Sequence, residues 1–382
     1  MTNIMAKLAI AAFGAALLGV TGAIAGPAGG EYSIGFVTEN TGPLAAAGLS
    51  YYRGANVALT EINDKGLAGP GVRLKLSEKE SGSDAARAVQ AVTQLAADRA
   101  VVAVTCCILS PVAGAVKPVV VNEKLPLVIY GATLPGLPSP PWVYSVVGLP
   151  GPQEVKMTKK LIEVLKPKTV TYFVNADNEG FQNRFKAAQK VMEDAGVKTA
   201  GVISILASDT DFTAPATQAM AQNPDLIMVW TTQGPAGGII ASLRQRGYKG
   251  EISASDVISP APMFRRIGEP LAGIPFPINF AAELAKTSEA KAFVAAYQAK
   301  HKDFPDTYAS QGYTAMYLLA QAIRGIDGPV TREAIANALS KIDLINPNVF
   351  GGLPLVNGQA EVANSLIANW TKDGQIAVWE RR

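Results

Sequence analysis

Two short segments of this sequence hold most of its chemistry. One is Thr105-Cys106-Cys107-Ile108-Leu109-Ser110-Pro111, running from an apolar strand into a helix start. The other is Tyr130-Gly131-Ala132-Thr133-Leu134-Pro135. Each offers small residues, free backbone N–H groups and a hydroxyl beside a helix N-terminus. Such N-termini favour anions, because their first N–H groups are unpaired and the helix dipole is positive there. In open α/β sheets, ligands sit outside the carboxyl ends of the strands. Together the two segments read as a carboxylate-binding arrangement. The plainer alternative is that Ser110 only caps its helix and Thr133 only shapes a turn.

Other chemistry is sparse. The single histidine, His301, stands in Lys300-His301-Lys302 at the end of a polar helix, where a solvated last-turn residue is expected. There is no GxGxxG after a strand, no GxxxxGK[ST] loop and no GxSxG elbow. One histidine and two adjacent cysteines argue against most zinc sites and any His-dependent triad. Asn369-Trp370-Thr371 matches a glycosylation acceptor, a pattern too short to carry weight. No pair of carboxylates stands out for acid–base work. A binding protein without metal or cofactor is the expectation, and an enzyme on a doubly wound fold is its rival.

The elements that must position these loops alternate between strand and helix. Ile34 to Val37 is an apolar strand; Ala55, Ala58, Leu59 and Ile62 then mark a helix face, and Gly66 ends that helix. Arg73 to Leu76 alternates like a strand with one wet face, and Ser83 or Asp84 caps the next helix. Val101 to Thr105 and Leu127 to Tyr130 are continuous apolar runs, as suits a parallel sheet covered on both faces. The pattern restarts near 148–152. A helix over 153–166 leads to strand Val170 to Val174, then to a helix lined by Phe181, Phe185, Ala188 and Met192. Strand Val202 to Ile205, a helix near 211–222, strand Leu226 to Trp230, a helix near 236–246 and strand Ile252 to Ala254 follow. Such alternation predicts parallel sheets and right-handed crossovers. Residues 287–302, 307–325 and 331–342 read as helices. Leu353 to Glu380 returns to short strands, with turns at Asn357-Gly358 and Asp373-Gly374. The predicted fold class is α/β, with two doubly wound sheets and a chain that revisits the first.

With 382 residues the chain allows two or three lobes. Its 34 Lys plus Arg against 31 Asp plus Glu is too balanced for a dedicated nucleic-acid binder. Lys7 precedes an apolar stretch from Leu8 to Val20, and Ala23-Ile24-Ala25 then offers a small-x-small cleavage site. This is the pattern of a secretory signal peptide, cut after Ala25, with a membrane anchor as the alternative. No cysteine follows the site, which argues against a lipid anchor.

Thr41-Gly42-Pro43-Leu44, Gly54-Ala55, Ile62-Asn63, Lys65-Gly66 and Gly71 resemble the opening of the leucine/isoleucine/valine-type periplasmic binding proteins. The Ser83-Asp84 helix start, the Gly131–Pro135 loop and Tyr313-Thr314-Ala315 extend the likeness, which covers about 31 to 380. The resemblance implies a periplasmic receptor of an ABC importer for branched-chain amino acids, amides or related carboxylates. It implies two Rossmann-like lobes joined by three crossovers, a monomer, and an inner-membrane permease as partner. Lobe I would comprise 26–148 and 279–352, and lobe II 149–278 and 353–382. An exported sensor uncoupled from transport would share that fold.

Carried over residue by residue, the family's usual serine anchor for the ligand carboxylate falls on Cys107. Its carbonyl and hydroxyl anchors fall on Gly131 and Thr133, and its acidic anchor for an ammonium on Asp256. Second-lobe aromatics fall on Glu179 and near Thr232, a first-lobe aromatic on Ala47, and a third-segment aromatic is kept as Tyr308. The aliphatic-packing wall has thus lost three aromatics, implying a wider or more polar pocket. Asp256 argues for an amine or hydroxyl on the ligand, since an unpaired buried carboxylate is costly. Alternatively, Asp256 caps the helix at 260 and Glu179 begins helix 180–195. The ligand would dock at Cys107 to Ser110 and Gly131 to Thr133, and lobe II would bring Asp256, Thr232 and Glu179 over it. In the family the position of Cys106 often pairs with an upstream cysteine. Here that position is near Ser83. A bridge between neighbours is strained, so two buried free thiols are expected.

Overall fold

A computed structural model describes residues 26–42, 44–346, 348–362 and 365–380. The expected leader and its cleavage point lie outside them. The first chain pass lays down β1 (Gly30–Thr38), α1 (Ala45–Lys65), β2 (Val72–Glu80), α2 (Ala85–Ala97), β3 (Val101–Cys106), α3 (Ser110–Asn122), β4 (Leu127–Ile129) and β5 (Val143–Ser145). The second adds α4 (Pro150–Leu165), β6 (Thr169–Asn175), α5 (Glu179–Asp194), β7 (Lys198–Ile205), α6 (Thr213–Ala221), β8 (Leu226–Trp230), α7 (Gln233–Gln245), β9 (Glu251–Ala254), α8 (Ala261–Ile267) and β10 (Phe276–Ile278). The third brings α9 (Ser288–His301), α10 (Thr307–Arg324), α11 (Arg332–Leu339), β11 (Leu344–Ile345), β12 (Leu353–Val356) and β13 (Gln359–Ala360). The chain ends in β14 (Leu366–Trp370) and β15 (Ile376–Val378).

The strands form two doubly wound lobes. In lobe I an eight-stranded sheet has the order β11-β12-β13-β5-β4-β3-β1-β2, parallel from β13 to β2. In lobe II the four-stranded parallel sheet is β7-β6-β8-β9, with the antiparallel β10-β14-β15 packed into the same core. β3 is buried along its whole length, as an apolar strand covered on both faces must be. Asp84 caps α2 by accepting the Arg87 N–H at 2.8 Å, so of the two candidates Asp84 is the cap.

One boundary differs from expectation. Residues 353–360 were placed in lobe II, yet the β12–β13 hairpin over Asn357-Gly358 joins the lobe I sheet, with Gln359 paired beside Ser145. The chain returns to lobe II only after it, at β14. The three-residue strands β5 and β10 were not predicted; they are too short to show a period.

α10 is buried on nearly every side, as befits a central core helix. It crosses α1 with the two backbones in contact. A Cβ on Gly54 would run into the Ala309 carbonyl, and one on Gly312 into the Tyr51 carbonyl. The close crossing fixes Tyr51 and Tyr308 side by side at the edge of lobe I, with ring centroids 5.1 Å apart.

Candidate ligand-binding site

A cleft between the lobes is bounded by the ends of β3 and β4, the starts of α1, α3, α5, α7 and α10, and the turn after β9. Its cavity volume is about 70 Å³, below the roughly 300–1,000 Å³ of ordinary small-molecule sites.

The floor is built by lobe I. Past β3 the backbone turns sharply, with Cys107 at φ +122°. The Cys107 carbonyl accepts the Ala132 N–H at 3.0 Å, which ties the two loops together. A second tie is the Thr133 N–H, donating to the Ser110 Oγ at 3.3 Å. Ser110 does not cap α3: the N-cap is Leu109, and no side chain caps that first turn. Behind the floor lies Glu39, fully buried, accepting the Ile108 N–H at 2.7 Å. Burial pushes its carboxyl up to about 7, against the opposing pull of donors from Ser83 and Ile108.

One wall is aromatic. Tyr51 packs between Tyr130 and Tyr308, at 4.6 and 5.1 Å between ring centroids, and Phe36 continues the stack behind Tyr130. Phe181 faces it from lobe II. The expected loss of aromatics at Ala47, Glu179 and Thr232 is therefore offset. Ala47 does line the cleft, and Tyr51, one helical turn further along α1, supplies the missing ring.

The lobe II face centres on a cation. Arg184 Nη1 donates to Asp256 Oδ1 at 2.7 Å and to Glu154 Oε1 at 3.3 Å. Glu154 is fully buried on α4, and burial pushes it up to about 7 despite Arg184 beside it. Asp256 opens a short 3₁₀ turn and so does not cap the helix at 260. Thr232 is the N-cap of α7, and its N–H donates to Asn175 Oδ1. The Thr232 hydroxyl and the Gln311 carbonyl oxygen are buried without a partner among the described residues.

The lobes touch across this cleft. A Cβ on Gly180 would stand 2.9 Å from the Thr133 hydroxyl and 3.0 Å from that of Ser110. The start of α5 thus rests on the two lobe I hydroxyls, so the conformation is closed.

Of the expected site residues, Ser110, Gly131, Thr133, Thr232, Asp256 and Tyr308 line the cleft. Cys107 does not: its side chain is fully buried beneath the floor. The expected free thiols are not found either, because Cys106 and Cys107 are bonded to each other as a disulfide. The sharp turn at Cys107 lets adjacent sulfurs meet where ordinary extended backbone holds them apart. Glu179 also lies outside the cleft, exposed on the first turn of α5. Asn178 caps that helix by accepting the Gly180 N–H at 2.9 Å, and the resulting rotation turns Phe181 and Arg184 inward instead. Arg184, Tyr51, Asn178 and Gln311 were missed. For Arg184 a signal existed: it falls on the inward face predicted from Phe181 and Ala188, where a charge needs a partner.

Two closing α/β lobes around a polar-floored, aromatic-walled cleft define a solute receptor. A family model described as periplasmic binding protein matches residues 31–375, and the chain belongs to that family. Among curated relatives, the Leu/Ile/Val-binding protein BraC3 of Rhizobium johnstonii is 28% identical over 316 residues, covering 81% of this chain and 83% of that protein. The branched-chain amino acid substrate-binding protein LivJ of Streptococcus pneumoniae, solved with isoleucine, superposes with a TM-score of 0.81. It is 24% identical and covers 91% of this chain and 98% of its own. A solute-binding protein of R. palustris solved with benzoate has a TM-score of 0.82 at 18% identity, covering 91% and 95%.

Proposed function

We propose that the protein is an exported receptor that hands a small carboxylate-bearing ligand to an ABC permease. The observation that carries this is that one pair of residues serves both the loops and the lobes. The Ser110 hydroxyl joins the floor loops by accepting the Thr133 N–H, and the Ser110 and Thr133 hydroxyls both face Gly180 of lobe II. Ligand recognition and lobe closure therefore run through one place. The ligand carboxylate would dock at the uncapped start of α3 and on Ser110 and Thr133, where N–H groups and hydroxyls can donate to it. Its apolar body would lie against Tyr51 and Tyr308, and α5 would close over it. The named ligands of BraC3, of LivJ and of the benzoate-bound protein all carry a carboxylate on an apolar body.

A thermal-shift panel on protein refolded to remove carried-over ligand tests this reading. It should hold aliphatic and aromatic carboxylates, the amino acids, short amides and urea. A ligand at about 1,000 times its Kd stabilises by about 4 kcal/mol, a shift of several degrees. Shifts are expected only from compounds with a carboxylate, and the Ser110→Ala/Thr133→Val double variant should lose them. A shift with amides or urea alone would overturn the assignment.

A further inference from the structure

We infer that Arg184 decides the ligand class: by holding Asp256 in an ion pair it removes the free carboxylate that an α-ammonium needs. The cleft then selects carboxylates that carry a hydroxyl, or nothing, where an amino acid carries its ammonium. The inference rests on the carboxylate-receptor reading and narrows it. Of the described residues lining the cleft, only Arg184 and Asp256 are charged, so the lining is charge-balanced before any ligand enters. The pair is short, at 2.7 Å, and largely shielded, with side chains 10% and 19% exposed. Solvent therefore screens it little, unlike a surface pair. Glu154 locks the same guanidinium from behind, on a fully buried side chain. An incoming ammonium would meet Arg184 at the face where it needs an anion, and like charges repel. Swinging Arg184 away would take from Glu154 the ion-pair partner it has at 3.3 Å and force that buried carboxyl to take up a proton. A neutral group meets no such obstacle. The Thr232 hydroxyl and the Gln311 side-chain amide oxygen are buried at the cleft and lack partners among the described residues. Buried polar atoms are rarely left unpaired, and a ligand hydroxyl could satisfy either.

Isothermal titration of the refolded protein with two matched series decides the matter. One is isocaproate, leucate and leucine; the other is hydrocinnamate, phenyllactate and phenylalanine. Within each series only the group beside the carboxylate changes, from hydrogen to hydroxyl to ammonium. The hydroxy or unsubstituted acid is expected to bind at least about tenfold more tightly than the amino acid. Arg184→Met should free Asp256 and shrink or reverse that ratio by about tenfold, and Arg184→Lys, which keeps the cation, should preserve the wild-type order. If leucine or phenylalanine outranks its analogues in the wild type, this inference falls while the carboxylate receptor stands. An unchanged ratio in folded Arg184→Met also overturns it. Should Arg184→Met fail to fold, the wild-type ranking together with Arg184→Lys still decides. If none of the carboxylates binds, the broader reading falls as well.

Discussion

Glu39 forms no ion pair among the described residues; it is sealed under the ligand floor and pushed up to about 7 by burial. Glu154 is pushed to the same value for the same reason. A carboxyl whose folded pKa lies above its unfolded value binds more protons when folded. Its contribution is then fully present below about pH 4.5 and is lost as pH rises toward 7. Each such shift is worth up to about 3 kcal/mol. Glu80 works in the opposite sense: against partial burial, which raises it, donors from Thr38, Asn40, Gly82 and Thr41 together hold it low, so its contribution is lost only in acid. The melting temperature should therefore peak near pH 5 and fall by several degrees toward pH 8. Glu39→Gln, which keeps an acceptor for Ile108, should remove roughly half of that fall; melts across pH 5 to 8 in both proteins would show it, and parallel slopes would refute it. The readable residues were those at strand ends. Ser110, Gly131 and Thr133 follow continuous apolar runs, so their place at the carboxyl edge followed from the pattern alone. Tyr51 and Arg184 lie on helices, where one residue of rotation decides between cleft and solvent. That rotation is set by caps and crossings that only the folded chain displays.

Among the elements, α5 links recognition to motion. Gly180, its second residue, occupies the gap between helix and floor. Gly180→Ala would place a methyl about 3 Å from both the Ser110 and Thr133 hydroxyls. The same carbon would stand 3.1 Å from the capping Asn178 Oδ1, which offsets much of alanine's advantage of up to about 1 kcal/mol in a helix, so the free protein should melt close to wild type. Ligand affinity should nonetheless fall about tenfold or more, because a closed cleft has no room for the added carbon. Paired melts and titrations would separate the two effects, and undiminished affinity would show that closure does not bring α5 this near. Elements with a sustained run of helix formers or of apolar residues were legible in the sequence: α9, α10 and strands β3 and β8 fall within a residue or two of expectation. The β12–β13 hairpin was also legible as a hairpin from Asn357-Gly358, but its lobe was not. A strand as short as β13 carries no pattern saying which sheet edge it will complete.

At the scale of the whole molecule, one ion pair among the described residues bridges the lobes at the surface. Arg265 on α8 reaches Asp303 after α9 at 3.2 Å, but its side chain is 57% exposed. Exposed pairs contribute about 0–1 kcal/mol, so the pair alone cannot hold the lobes shut, and closure depends on what lies between them. The two-lobe plan and the chain's return to lobe I were readable from the order of strands and helices, because that order is a property of the entire sequence. The organisation of lobe I has a further consequence, in time. Its central helix packing joins α1 to α10, with Ser50 bonded to Asp306 across 256 residues of chain, and its sheet is completed by β13 beside β5. The four strands β6 to β9 of lobe II are instead contiguous. Closing a long loop costs entropy before any contact repays it. During refolding, pulse-labelled hydrogen exchange should find β6 to β9 protected before β13, β5 and the α1–α10 crossing; simultaneous protection would contradict this. The ligand floor is thus expected to be completed after the β6–β9 sheet of lobe II has formed.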